Sequence, residues 1–172
     1  MHPLSRKKLS RSLFSALLVL SLGLASAQAA PAPWKVAQPP LTFSTPTGFS
    51  TSPNKVTSAS FELFDPSRNM ELLVSPGSEG KIPIPRYLKE FPAMLKARGN
   101  TVVSSTSLKV DGDPAAFFVI KGLVPEAVES VYVYVTPAKA GAYSLVLNYP
   151  AAQRDRAVPL MKELLKGLKL RR

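Results

Sequence analysis

The sequence predicts an α+β fold: an antiparallel β-sheet flanked by helices on both faces, an α-β-α sandwich. Three observations carry this. Two segments, one mid-chain and one at the C-terminus, repeat apolar residues at helical spacing. The late strands are apolar on both faces, with Phe117 and Val119 alternating with Phe118 and Ile120, and Val131, Val133 and Val135 alternating with Tyr132 and Tyr134. A strand with one wet face alternates apolar with polar, so these strands need cover on both sides. The connections between strands are short and turn-like, which requires antiparallel neighbours.

Taken in order, Leu41 to Ser44 forms a short strand, and Pro46-Thr47-Gly48-Phe49 turns the chain. Ser58 to Asp65 is a strand with Ala59, Phe61 and Leu63 on one face. The turn cluster Asp65-Pro66-Ser67-Arg68-Asn69 returns it into Met70 to Ser75, completing a hairpin. A helix runs from Pro85 to Arg98, with Ile84, Leu88, Phe91 and Leu95 at helical spacing and Gly99-Asn100 as its stop. Pro92 conflicts with that helix, because it removes a hydrogen bond, and predicts a kink or a later start. Four strands follow: Thr101 to Val110, Ala115 to Lys121, Glu129 to Thr136 and Gly141 to Tyr149. A closing helix over Ala151 to Leu170 sets Val158, Met161, Leu165 and Leu168 on one side, with Pro159 shortening or bending its first part.

Ahead of this domain, residues 1–29 have the three parts of a secretory signal. Arg6, Lys7, Lys8 and Arg11 form a positive start, Leu13 to Leu24 an apolar run, and Ala27-Gln28-Ala29 the best-fitting cleavage site, with Ala25-Ser26-Ala27 the alternative. The run is too short to span a bilayer, which takes about 20 apolar residues, and no later run reaches that length. Ser5-Arg6-Lys7-Lys8-Leu9 has lysine where a twin-arginine signal has its second arginine, so the signal reads as Sec-type. With no cysteine for lipid attachment, the mature product is expected to be periplasmic or secreted. Residues 30–40 read as a Pro/Ala-rich leader whose one large side chain is Trp34, and residues 41–172 as a single domain.

Composition narrows the chemistry. The one histidine, His2, lies in the signal, and there is no cysteine. The mature chain therefore has no Ser-His-Asp or Cys-His nucleophile system and lacks the usual zinc ligands. Enzymes built on carboxylates, lysine or tyrosine remain open. Four of the 22 lysines and arginines fall in the signal, leaving 18 bases against 11 acids. Seven of those bases, with two acids, lie between Arg154 and Arg172. The rest of the mature chain is nearly balanced, which argues against a body-wide nucleic-acid surface and for one basic element at the C-terminus.

The order of landmarks resembles the PsbP-like family, the extrinsic photosystem proteins and their bacterial relatives of unassigned role. The resemblance is carried by LTFSTPTGF, FELFDPSRNMELLV, RYLKEFPAMLKARGN, VDGDPAAFFVI, VYVYVTPAKAGAYSLVLNYP and the last helix, spread over Leu41 to Leu170. It implies an α-β-α sandwich around an antiparallel sheet. Photosynthetic members are associated with calcium, chloride or manganese, but no motif here receives a metal-site residue, so no cofactor is expected.

Several segments have the residue types of a site. Asp111-Gly112-Asp113 begins like a calcium loop, but the twelfth residue from Asp111 is Gly122 where an EF-hand needs Glu, and the segment reads as a β-turn. Glu126 and Glu129 are a carboxylate pair that could serve a hydrolase, against the simpler reading of a solvated loop. Ser75 to Gly80 lacks the ending of a phosphate loop and reads as a surface loop. Tyr132, Tyr134 and Tyr143 are candidates for a ligand wall, with core beneath a helix as the alternative. Lys162, Lys166 and Lys169 would share one helical stripe, extended by Arg171 and Arg172, a candidate contact for an anionic surface. The expected function is an exported, non-catalytic binding or accessory module for a protein partner or an envelope component. A carboxylate/tyrosine-based extracytoplasmic hydrolase and a homo-oligomeric assembly protein are the alternatives.

Overall fold

The computed structural model describes residues 34–36, 41–51, 59, 61–77, 81–122, 128–138 and 140–170. The signal (1–29), Glu126, Arg171 and Arg172 lie outside the described residues.

A seven-stranded sheet, antiparallel at every pairing, forms the centre, in the order β3-β4-β5-β9-β8-β7-β6. Its strands are β3 (Ser50–Thr51), β4 (Phe61–Asp65), β5 (Met70–Pro76), β6 (Thr101–Val110), β7 (Asp113–Lys121), β8 (Val128–Val135) and β9 (Tyr143–Pro150). Helix α1 (Ile84–Ala97) covers one face and α2 (Arg154–Gly167) the other. On the α1 face, Ile84, Tyr87, Phe91 and Leu95 meet Ala116, Phe118, Ile120 and Tyr134. On the α2 face, Met161, Leu164 and Leu165 join a larger core containing Phe117, Val131, Val133, Leu145 and Leu147. The two-sided apolar pattern of β7 and β8 thus has the cover it requires, and the architecture is the α-β-α sandwich expected.

The turns explain the strand pairings. Between β4 and β5, the Asp65 carboxylate accepts from Ser67 N (3.0 Å), Ser67 Oγ (2.6 Å) and Arg68 N (3.3 Å), closing the turn that Asn69 completes at φ 52°. Asp65 is fully buried, and Arg68 Nη1 donates to it at 2.6 Å. Between β6 and β7, Asp111 (φ 50°) and Gly112 (φ 89°) form a tight hairpin turn, consistent with the preference for Asp-Gly where both central residues need positive φ.

Three predicted boundaries require correction. Pro92 does not delay α1: the helix is continuous from Ile84, with Pro92 inside. Phe91 and Leu95, on either side of it, are buried, so packing on the sheet holds the helix through the missing hydrogen bond. At its end, Gly99 adopts φ 81° and Asn100 N donates to Leu95 O at 3.0 Å, the expected stop.

The closing helix is shorter than predicted at both ends. Ala151–Gln153 is a 3-10 turn, and α2 ends at Gly167. The chain then extends into β10 (Lys169–Leu170), where burial of Leu168 and Leu170 and pairing with β2 (Leu41–Phe43) replace another helical turn. β2 also pairs with β1 (Trp34–Val36), making a small second sheet in the order β1-β2-β10. Part of the predicted leader is therefore a strand.

Candidate functional site

The α1 face carries most of the aromatic side chains that gather in one place. Helical spacing sets Tyr87 one turn before Phe91, and the strand period sets Phe118, Tyr132 and Tyr134 on the opposing face. The Tyr87 ring stacks on Tyr134 with centroids 4.0 Å apart and on Phe91 at 4.8 Å. Phe91 in turn lies 4.9 Å from Tyr132 and 5.0 Å from Phe118. The hydroxyls are used: those of Tyr87 and Tyr132 hydrogen-bond at 3.0 Å, and Tyr134 Oη accepts from Ile82 N at 3.0 Å. The stack is therefore fixed at its polar ends as well as by ring contact.

Beside this stack is a cleft of about 220 Å³ lined by Ile82, Tyr87, Glu90, Phe91 and Met94. Met94 is 38% exposed, one of two large apolar side chains exposed to that degree among the described residues. The Glu90 carboxylate at its rim accepts from Arg86 Nε at 2.9 Å. An apolar floor, an adaptable methionine and a polar rim suit an apolar side chain presented from outside.

The candidate tyrosine wall does not assemble as one surface. Tyr132 and Tyr134 lie under α1, but β9 pairs with β8 in the register Val135↔Tyr143, so Tyr143 faces the α2 core. A one-residue difference in register moves a side chain to the other face of a sheet. Tyr143 is fully buried, and burial, then the charges of Asp113 and Asp111, push its hydroxyl well above the usual tyrosine range.

Glu129 is not a solvated loop residue. It sits on β8, 3% exposed, and receives both Arg154 Nε (2.6 Å) and Arg154 Nη2 in a two-pronged pair. Lys121 Nζ is 3.8 Å away, and Tyr149 Oη donates at 3.4 Å. The Arg154 hydrogen bonds outweigh the opposing effect of burial, and the charges of Arg154 and Lys121 add to them, so the carboxyl is held below its usual range. Such a group stays ionised and occupied, which is poor provision for general acid–base work near neutral pH. Sequence reasoning missed Arg154 as the partner, since the two residues are joined only through α2 packing on β8.

The basic residues are dispersed more than a single helix would make them. Lys162 and Lys166 lie exposed on α2, with Lys162 Nζ 5.9 Å from the Phe117 ring and Lys166 Nζ 2.6 Å from Glu163. Lys169 is on β10, not on the helix, and its Nζ lies 3.1 Å from Asp111, whose carboxylate also accepts from Leu170 N at 2.9 Å. Asp113 accepts from Ala138 N at 3.3 Å. The Asp-Gly-Asp turn thus anchors β10 and the β8–β9 connection. Among the described residues, no group of three or more acidic or histidine side chains could hold a metal ion.

Solved structures with this architecture span distant organisms. PsbP of Synechocystis sp. PCC 6803 superposes with a TM-score of 0.58 at 11% identity, covering 87% of this chain and 99% of that one. Mog1p of Saccharomyces cerevisiae, described as Ran-binding, gives 0.57 at 11% identity over 80% of this chain and 94% of its own. LpqN of Mycobacterium tuberculosis, described as involved in cell envelope biogenesis, gives 0.57 at 13% identity over 82% and 90%. No family profile matches the chain, and no curated protein matches it in sequence. The chain has the fold that PsbP, Mog1p and LpqN share. Identity this low fixes the architecture and leaves activity to be argued from the site.

Proposed function

We propose that this chain is an exported, non-catalytic accessory module that binds a protein partner through the α1 cleft. The observation that carries the reading is the apolar cleft with Met94 at its mouth, on a fold that Mog1p, a Ran-binding protein, also has. Methionine and aromatic residues are enriched at the centres of protein interfaces. The residue inventory supports the same reading, because residues 30–172 contain no histidine or cysteine. The signal-like residues 1–29 support a site of action outside the cytoplasm.

The experiment is affinity capture from envelope extract with the parent and Met94→Lys. The parent should retain one partner in a saturable, stoichiometric complex, and Met94→Lys should lose it with its melting temperature unchanged. Specific turnover of a substrate, abolished by one side-chain change, would replace this reading with the hydrolase alternative.

A second contact, to an anionic envelope component, rests on Lys162, Lys166, Lys169, Arg171 and Arg172. Glu163 and Asp111 beside two of these lysines reduce the field that such a surface would meet, and this favours the protein partner. Co-sedimentation with anionic vesicles over a salt series decides between them. If the lysines form the contact, changing Lys162, Lys166 and Lys169 to Gln weakens vesicle binding. Equal binding by parent and triple variant at low salt identifies a solvated face.

A further inference from the structure

The seven-stranded sheet ends in two unequal edges. At one, β3 has two residues. At the other, β6 has ten, and among the described residues it pairs only with β7. An edge of that length presents a row of backbone N–H and C=O groups able to pair with another strand. Proteins usually blunt such edges with proline, charge, shortness or a bulge. β6, with the sequence TVVSSTSLKV, has no proline and one charged residue, Lys109. Its one irregularity falls between Val102 and Ser104. From Ser104 to Val110 its pairing with β7 is unbroken, and Ser104, Ser105, Thr106, Ser107 and Lys109 are exposed.

We infer that β6 is a joining edge, at which two copies of this chain pair antiparallel about a two-fold axis at Ser107 and extend their sheets into one. The regular run is centred on Ser107, so a dyad there uses all of it. In that register Ser107 faces Ser107 of the second copy, Thr106 faces Leu108, Ser105 faces Lys109, and Ser104 faces Val110. Residues directly opposite in an antiparallel pair must share a sheet face, and a dyad on a residue satisfies that condition. The register sets no like charges face to face: the single cation of each copy, Lys109, meets a serine, never the other lysine. Hydroxyl side chains opposite one another form favourable cross-strand pairs. The bulge at Val102/Ser104 ends the regular run, and the two-fold axis closes the assembly at two copies. This inference does not rest on the α1 cleft, none of whose lining residues belongs to β6.

The test is sedimentation analysis of the purified protein over a concentration series into the millimolar range. The parent should show a twofold rise in mass from monomer to dimer. Ser107→Lys and Ser107→Glu each place like charges face to face at the dyad and should remain monomeric, with unchanged circular dichroism. Mixed in equal amounts, the two variants should recover the dimer. The register makes a further demand: Ser105→Glu, opposite Lys109, should lower the dimer Kd by about two- to fivefold, and Ser105→Lys should raise it. A parent that stays monomeric throughout, a persistent Ser107→Lys dimer, or a mixture that stays monomeric overturns the inference. If the Ser107 variants fail to fold, the Ser105 pair decides, and an unchanged Kd in both overturns it.

Discussion

At the scale of single residues, two buried carboxylates hold the structure through charge. Burial alone would raise the Asp65 carboxyl, but hydrogen bonds from Ser67 and Arg68 and the Arg68 charge overcome it and leave it lowered. Glu129 is lowered mainly by Arg154. A carboxyl whose folded pKa is depressed contributes stability above its unfolded pKa and loses it as pH falls through the folded value. The melting temperature should therefore be flat from neutral pH down to about pH 5 and decline progressively below about pH 4. Glu129→Gln should make that decline shallower. At the other extreme, burial and then the charge of Glu129 push Tyr149 up to about 12, and Tyr143 is raised as well. Their stabilisation is full below the unfolded tyrosine value and should fade as pH rises beyond about 10. Absorbance titration of the phenolates alongside thermal melts checks both limbs. Gly48 supplies a steric test: it adopts φ 95°, and a Cβ there would sit 2.8 Å from Asp65 Oδ2. Gly48→Ala should cost more than about 1 kcal/mol in urea unfolding, through backbone strain and displacement of that carboxylate.

At the scale of elements, α1 forms against its own propensity. Pro92 leaves the Leu88 carbonyl without its helical donor, and the buried faces of Tyr87, Phe91 and Leu95 compensate. Pro92→Ala should raise stability, by up to about 3 kcal/mol if the site tolerates it without strain. Phe91→Ala should lower it by about 3–5 kcal/mol, since Phe91 contacts Tyr87, Phe118 and Tyr132 and no neighbour can fill its place. The two changes act in opposite directions on one helix, and denaturant melts resolve them. The same scale governs α2 and β10. A helix continued to the same point would turn Leu170 away from the Met161, Leu165 and Leu168 stripe, whereas the extended exit buries both Leu168 and Leu170 and ties Leu170 N to Asp111.

At the scale of the whole molecule, export and assembly each have a direct measurement. N-terminal sequencing of the exported form should find Ala30 first, and an intact Met1 terminus in the membrane fraction would exclude cleavage. Among the described residues no helix is long and apolar enough to cross a membrane. The two proposed contacts use different residues, the α1 cleft on one face and the β6 edge at the sheet's margin. A module that joined copies at one and held a partner at the other would bind that partner bivalently, with avidity set by the spacing of the two clefts.

The sequence by itself determined the class of fold, the hairpin pairings and the turns. These follow from local rules: two-sided apolar alternation in β7 and β8, Asp and Gly where positive φ is needed, and helical spacing in Ile84, Phe91 and Leu95. It also showed that residues 30–172 hold no histidine or cysteine, because residue types are counted without coordinates. Only the tertiary structure decided which face each tyrosine takes, since the parity of Tyr143 depends on how β9 registers on β8. It alone joined Glu129 to Arg154, residues whose pairing depends on where α2 lands. It alone turned Trp34–Val36 and Lys169–Leu170 into strands, because each is too short to form without a neighbour already in place. Backbone hydrogen bonding between distant segments has no local signature, and these short strands exist only through it.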